Sequence, residues 1–110
     1  MFKNLFPRSP DPAELDLATF SKAVQAGEAA VVDVREPHEY AGHIPGSVNL
    51  PLSRFDPRDL PMGGLVVLIC QAGGRSRNAL ARTHAAGRAD VKHYAGGMSQ
   101  WRMQGGDVAV

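Results

Sequence analysis

The chain has 110 residues, a formal net charge of +1 at pH 7, and 44% hydrophobic residues. This size and composition predict one folded domain, because a chain of this length buries a core without disulfides or metals. The small net charge gives no indication of nucleic-acid binding or of an anionic membrane surface as partner. The single cysteine excludes an intramolecular disulfide, a CxxC redox pair and a cysteine-rich zinc site.

Closely spaced prolines at Pro7, Pro10 and Pro12 predict a flexible N-terminal tail over residues 1–14, with the folded domain at 15–110. This stretch lacks the apolar core of a secretory signal. No apolar run approaches the ~18 residues of a membrane span. We therefore expect a soluble cytoplasmic protein that makes no membrane contact.

The first half of the domain is predicted to contain a helix and two short strands. Asp16 is suited to cap a helix over about residues 17–26, and Gly27 is suited to end it. Short apolar strands are predicted at 31–34 and 48–50. A short helical turn around residues 37–41, with proline in its first turn, lies between them.

The second half of the domain contains the clearest strand. Five consecutive apolar residues at 65–69 are typical of a strand that is covered on both faces, as in a parallel sheet. A helix is predicted over 76–86, a strand over 91–94 and a last helix ending near residue 104. Strands that alternate with helices predict an α/β fold with a mainly parallel sheet.

Cys70 directly follows the buried strand and precedes a glycine-rich turn into a helix. Ligands bind at the carboxyl ends of strands in such sheets. The turn would aim backbone N–H groups at the sulfur, and the helix N-terminus would add positive charge, so we predict a lowered Cys70 pKa. A small buried structural cysteine is the alternative interpretation.

Arginine is concentrated around this cysteine. Residues 70–89 contain four arginines and no acid, with Arg75 and Arg77 nearest to Cys70. One interpretation is a solvated helix face. The other is a local positive field that favours the thiolate and holds an anionic substrate.

Three segments together resemble one known family. Residues 70–76, CQAGGRS, resemble the active-site loop C-x-x-G-x-R-S of rhodanese-like sulfurtransferases. Residues 33–49, DVREPHEYAGHIPGSVN, are similar to the family's first signature, and residues 94–101, YAGGMSQW, to its closing one. The resemblance covers about residues 15–110, and three motifs in the right order are far more specific than any one of them.

The resemblance implies a rhodanese-like three-layer α/β/α domain with a five-stranded, mostly parallel sheet. It implies a thiosulfate sulfurtransferase in which Cys70 is the nucleophile, and ping-pong kinetics through a Cys70 persulfide. Sulfur would pass from thiosulfate, or a similar donor, to cyanide or a thiol. The implied substrate-binding residues are Gln71, Ala72, Gly73, Gly74, Arg75 and Ser76. No metal or organic cofactor is required.

Three further polar residues are expected to support the site. Asp33 and Arg35 follow a buried strand, where an acid is rarely unpaired. We expect Asp33 to tie neighbouring loops by hydrogen bonds and Arg35 to be an ion-pair partner. His43, within Gly-His-Ile-Pro-Gly, is expected to be a structural, hydrogen-bonding histidine rather than a base or metal ligand.

Two other functions remain as alternatives. Cysteine-dependent phosphatases and arsenate reductases use the wider loop C-x5-R, whereas four residues separate Cys70 from Arg75. The other alternative is a persulfide relay or binding module for a partner protein. Because the chain has one cysteine, no second cysteine of its own can resolve a persulfide. The acceptor must then be a small thiol, a reductase, cyanide or a sulfur-accepting protein.

Overall fold

The computed structural model of the protein describes residues 11–110, and these residues form an α/β fold as the sequence predicts. The strands are β1 (Glu14–Leu15), β2 (Ala29–Asp33), β3 (Val48–Asn49), β4 (Leu65–Ile69) and β5 (Lys92–Tyr94). The helices are α1 (Leu17–Gln25), α2 (Gly74–Ala85) and α3 (Gly97–Met103). Single 3₁₀ turns lie at Pro37–Glu39, Leu52–Arg54 and Pro57–Asp59.

The five strands form one sheet in the order β1-β5-β4-β2-β3, and all four neighbouring pairs run parallel. This confirms the five-stranded, mostly parallel sheet that the family resemblance implies. β4 is the central strand and pairs with β2 over its whole length. The carboxyl end of β4 is therefore the centre of the edge where such sheets place their sites.

The sheet has one hydrophobic layer on each face. Alternate residues of β4 enter different layers. Val67 and Ile69 pack with α1 and α3, whereas Leu68 packs with α2, as does Cys70 directly after the strand. Phe20 of α1 stacks on Tyr94 of β5, with ring centroids 4.4 Å apart. Burial on both faces explains why β4 is apolar throughout, since each fully buried aliphatic side chain contributes about 1.5–3 kcal/mol.

Trp101 of α3 is buried on the core side of the last helix. Its ring meets Phe20 edge-on, with centroids 5.5 Å apart, and its Nε1 donates to the Asp107 carbonyl at 2.8 Å.

Helix α1 begins as the sequence predicts. The Asp16 side chain accepts a hydrogen bond from the Thr19 backbone N–H at 2.8 Å, and Gly27 follows the helix with a φ of +71°. Helix α2 begins two residues earlier than predicted, at Gly74. Gly73, with a φ of +99°, is its N-cap, so Arg75 lies in the first helical turn rather than in a loop.

The N-terminal boundary differs in part from the sequence prediction. The first ten residues of the predicted tail lie outside the described residues. Ala13 is buried, and its carbonyl accepts the His93 N–H at 2.8 Å. Glu14 begins β1, so the chain already belongs to the sheet one residue before the predicted domain start.

No helix within residues 11–110 combines the length and apolar character that crossing a membrane requires.

Candidate active site

Cys70 lies immediately beyond the carboxyl end of β4, where the central strand meets the loop into α2. Cys70 is 1% exposed, and its side chain belongs to the hydrophobic layer that packs against α2. Among the described residues, Cys70 is the free thiol that the sheet presents at this edge.

The start of α3 holds the Cys70 loop in place. The Met98 N–H donates to the Cys70 carbonyl at 2.9 Å, and the Ser99 N–H donates to the Gln71 carbonyl at 3.0 Å. The Gln71 side chain donates to Ser99 Oγ at 3.0 Å. At Gly97, with a φ of +64°, an added Cβ would collide with the Gln71 carbonyl and lie 2.7 Å from that of Cys70. Glycine as the first residue of α3 therefore permits this close approach.

The Cys70 sulfur faces hydrogen-bond donors from its own loop. The Gly73 N–H donates to Sγ at 3.0 Å, and Ser76 Oγ lies 3.6 Å from Sγ. Burial raises the pKa of the Cys70 thiol, but the backbone and hydroxyl of Ser76 lower it. The backbone N–H groups of Gly73 and Ala72 add to this, and the net pKa lies below that of an ordinary thiol. The loop thus favours the nucleophilic thiolate.

Arg75 forms an ion pair with a carboxylate from another part of the chain. Its two terminal nitrogens donate to Glu39 Oε1 at 2.6 Å and Oε2 at 2.9 Å. This pairing with Arg75 lowers the pKa of Glu39 to about 2. The Arg75 side chain remains 35% exposed, so part of it is accessible from solvent.

The two arginines nearest to Cys70 in sequence are both paired with carboxylates. Arg75 faces Glu39, and Arg77 Nη2 lies 3.1 Å from Glu14 Oε2. Both carboxylates come from segments distant in sequence, which the charge pattern of residues 70–89 cannot include.

Asp33 and Arg35 form a buried ion pair. The Asp33 carboxylate accepts hydrogen bonds from Arg35 Nη2 at 2.8 Å and from Arg35 Nε and backbone N–H at 3.0 Å. Arg35 Nη2 also donates to the Gly42 carbonyl at 2.9 Å. Asn49 Nδ2 donates to the carbonyls of Asp33 and Arg35. The pair braces the segment between β2 and β3, which carries Glu39 to Arg75.

His43 lies at the far end of the same segment. Its Nδ1 is 2.7 Å from the Tyr40 carbonyl oxygen, and its ring stacks on Tyr40 with centroids 4.0 Å apart. Its backbone N–H donates to the Ala109 carbonyl at 3.0 Å. These contacts join the segment to the C-terminal residues rather than to the Cys70 sulfur.

Sequence reasoning missed three residues around the sulfur: Glu39, Glu14 and His93. His93 is buried on β5, with Nδ1 3.0 Å from Ser76 Oγ and Nε2 3.3 Å from Glu14 Oε2. One signal was available. Val91 and His93 alternate along the predicted strand, and Val91 belongs to the apolar layer that contains Cys70, so a histidine two residues later faces the same layer.

Residues 16–104 match the family profile of the rhodanese-like domain. The chain belongs to the rhodanese-like domain family. The fold agrees: a rhodanese-related protein from Thermoplasma volcanium superposes with a TM-score of 0.77 at 28% identity, covering 86% of this chain and 95% of that one.

Two curated relatives show how the match is distributed. An uncharacterized protein of Synechocystis, slr1261, is 41% identical over 90 residues, which are 79% of this chain and 50% of the relative. Thiosulfate sulfurtransferase GlpE of Pseudomonas fluorescens is 35% identical over 86 residues, 74% of this chain and 78% of the relative. The rhodanese-like chain thus spans half or less of the length of several relatives, and most of the length of a small one.

Proposed function

We propose that this rhodanese-like domain is a sulfurtransferase in which Cys70 carries sulfane sulfur as a persulfide. The observation that carries the proposal is the sulfur itself, which lies at the end of the central strand with the Gly73 N–H at 3.0 Å. Supporting observations are the loop pattern of residues 70–76 and the similarity to a thiosulfate sulfurtransferase.

In the first half-reaction, the Cys70 thiolate attacks the outer sulfur of thiosulfate or a similar donor. A sulfur–sulfur bond forms at Cys70, the donor's sulfur–sulfur bond breaks, and sulfite leaves with the electron pair. The N–H groups of the loop stabilise the resulting persulfide anion. The partly exposed Arg75 would attract the sulfonate end of the donor.

In the second half-reaction, a thiolate or cyanide attacks the outer persulfide sulfur and Cys70 leaves as thiolate. Since Cys70 is the only cysteine of the chain, the acceptor comes from outside it. A small thiol, cyanide and a cysteine of a sulfur-accepting protein all meet this requirement. Donor and acceptor use the same nucleophile in turn, which gives ping-pong kinetics.

A second candidate is a dedicated persulfide relay to one protein partner. The observation that favours it is the 1% exposure of Cys70, which limits how acceptors reach a persulfide carried at this position. Slow turnover with thiosulfate and cyanide, together with fast transfer to a protein thiol, distinguishes a relay from a broad enzyme.

A phosphatase or arsenate reductase is disfavoured by the length of the loop. Four residues rather than five separate Cys70 from Arg75, which narrows the cradle for a tetrahedral anion.

Intact-protein mass spectrometry after incubation with thiosulfate tests the proposal. We expect the wild-type chain to gain one sulfur atom and to lose it on addition of cyanide. The Cys70→Ser variant, checked for folding by circular dichroism, should gain none. A wild-type chain that gains no sulfur, or a variant that gains as much, would contradict a Cys70 persulfide formed from thiosulfate.

A further inference from the structure

A continuous chain of polar contacts leads from the Cys70 sulfur to the protein surface. Sγ lies 3.6 Å from Ser76 Oγ, and Ser76 Oγ lies 3.0 Å from His93 Nδ1. On the other side of the ring, His93 Nε2 lies 3.3 Å from Glu14 Oε2, which Arg77 Nη2 approaches at 3.1 Å. His93 is 2% exposed. Its ring therefore reaches other polar groups through its contacts with Ser76 and Glu14.

Two arrangements of hydrogen atoms satisfy every contact in this series, from the Cys70 sulfur to Glu14. With Cys70 as thiol, S–H donates to Ser76 Oγ, the Ser76 hydroxyl donates to His93 Nδ1, and Nε2–H donates to Glu14. With Cys70 as thiolate, the Ser76 hydroxyl turns to the sulfur. Nδ1 keeps its contact with Oγ only if it carries a hydrogen, because Ser76 has a single one to give.

The two arrangements therefore differ by one proton that has moved from the sulfur to the imidazole. The Gly73 carbonyl oxygen also lies 3.2 Å from Ser76 Oγ and offers a competing acceptor for the hydroxyl hydrogen. A hydroxyl that donates to Gly73 leaves Nδ1 facing an oxygen lone pair even when Cys70 is a thiol, so the transfer of a proton from sulfur to imidazole starts from the arrangement in which the hydroxyl donates to His93.

Charged groups around His93 act in opposite directions. Burial lowers the pKa of the His93 imidazole, while Glu14 raises it; Arg77 lowers it and Asp11 raises it. Glu14 and Asp11 approach from the β1 side, Arg77 from α2, and Cys70 from the end of β4. The net pKa of the His93 imidazole lies below its ordinary value. A thiolate beyond Ser76 and the Glu14 carboxylate at Nε2 both favour the cationic form.

We propose that His93 is a positioning residue for Cys70, which receives through the Ser76 hydroxyl the proton that leaves the thiol. The inference rests on the proposed function of Cys70 as the sulfur carrier. In this step the S–H bond breaks and a Ser76 O–H bond forms, while the original Ser76 O–H bond breaks and an Nδ1–H bond forms. No oxidant or reductant is involved, and Glu14 stabilises the imidazolium.

The proton then stays on His93 through both half-reactions. Thiolate plus thiosulfate gives persulfide anion plus sulfite, so the charge at Cys70 is the same before and after sulfur uptake. Transfer to an acceptor thiolate restores the Cys70 thiolate with that charge again unchanged. The imidazolium therefore faces one negative charge at every stage, and the proton returns to sulfur only in the resting thiol.

The rate of Cys70 alkylation by iodoacetamide, measured against pH, tests this role without any sulfur donor. The informative variant is His93→Asn, whose amide N–H can donate to Ser76 Oγ but cannot take up a proton. We expect its thiolate to form at higher pH, with alkylation at pH 6 about tenfold slower, as a one-unit rise in thiol pKa produces.

His84→Asn is the matched control. His84 is a half-buried histidine of α2, and its Nε2 lies 2.9 Å from the Val91 carbonyl rather than near Ser76. Its profile should match that of the wild type. A His93→Asn profile that superposes on the wild type overturns the proposal.

A measurement on Cys70→Ala and the wild type covers the case in which His93→Asn does not fold. NMR titration of the His93 ring should show a lower midpoint in Cys70→Ala, because the thiolate that stabilises the imidazolium is gone. Equal midpoints overturn the proposal.

The persulfide assay separates this proposal from the proposed function. If alkylation depends on His93 but no persulfide forms, then the proton transfer to His93 is supported and thiosulfate is excluded as the donor. Persulfide formation with superposed alkylation profiles keeps the sulfurtransferase and overturns the role of His93.

Discussion

Arg75 and Glu39 form a two-point ion pair, with nitrogen–oxygen distances of 2.6 and 2.9 Å, at the mouth of the Cys70 loop. The pair joins the first turn of α2 to the 3₁₀ turn Pro37–Glu39 between β2 and β3. Under the proposed function, an anionic donor would meet an arginine whose charge is already partly neutralised. This competition between substrate and Glu39 leads to the first prediction.

Arg75→Ala should raise KM for thiosulfate about tenfold, the effect of losing one charge-assisted hydrogen bond of about 1.5 kcal/mol. Glu39→Gln should lower KM, because it leaves Arg75 with its full charge for the sulfonate. Steady-state kinetics with thiosulfate and cyanide measure both. Asp56→Asn, which breaks a similar pair with exposed Arg58, is the control and should leave KM unchanged. Equal KM values for all three variants would remove Arg75 from substrate binding.

The same pair predicts a contribution to stability that depends on pH. Arg75 lowers the pKa of Glu39 to about 2, whereas an unfolded glutamate titrates near ~4.3. A lowered folded-state pKa means that this contribution is complete above about pH 4.3 and is lost as the pH falls through about 2. Urea unfolding should therefore show a deficit for Glu39→Gln at pH 6 that shrinks at pH 3. A deficit that is equal at the two pH values would contradict the pairing.

Gly97→Ala should destabilise the protein and slow persulfide formation. Gly97 has a φ of +64°, and its Cβ would lie 2.7 Å from the Cys70 carbonyl, so the loop must shift. Gly27→Ala is the matched control, since its φ is +71° with nothing within 4 Å of the added Cβ. The control should cost only the backbone term of about 1–2 kcal/mol. If both variants lose equal stability and retain equal activity, then the close approach at Gly97 has no role.

Arg35→Leu should be among the most destabilising substitutions, by about 3–5 kcal/mol, because it leaves the Asp33 carboxylate buried without its cation. Replacing both Asp33 and Arg35 by leucine should recover part of this loss. A double-mutant cycle from urea unfolding measures the coupling. An Arg35→Leu loss similar to that of Arg58→Leu, whose pair is exposed, would show that burial of the ion pair does not matter here.

The sequence predicts those parts of the fold whose causes are local. β4 was located at its observed bounds because five apolar residues stand between Gly64 and Cys70. The start of α1 was located because Asp16 caps it. β1 was missed because a two-residue strand has no periodicity, and its stability comes from pairing with β5, almost 80 residues away in the chain.

The candidate site likewise contains residues that a local motif predicts and residues that only the fold brings together. Cys70 and the donors of its own loop follow from a contiguous motif. Glu39 lies 36 residues before Arg75, and His93 lies 17 residues after Ser76, so only the sheet order brings these groups together. The charge pattern of residues 70–89 omits these carboxylates for the same reason, because it counts arginines along the sequence and not the partners that the fold places beside them.

β1 is short, yet it sets a limit on how the domain can be trimmed for expression. The family match begins at residue 16, two positions after Glu14. A clone designed to that boundary would delete the edge strand and leave the backbone of β5 open to pairing with other molecules. It would also remove the carboxylate beside His93. Low solubility or altered thiol reactivity of such a fragment would then result from the loss of β1 and Glu14. Expression clones should therefore begin no later than Asp11.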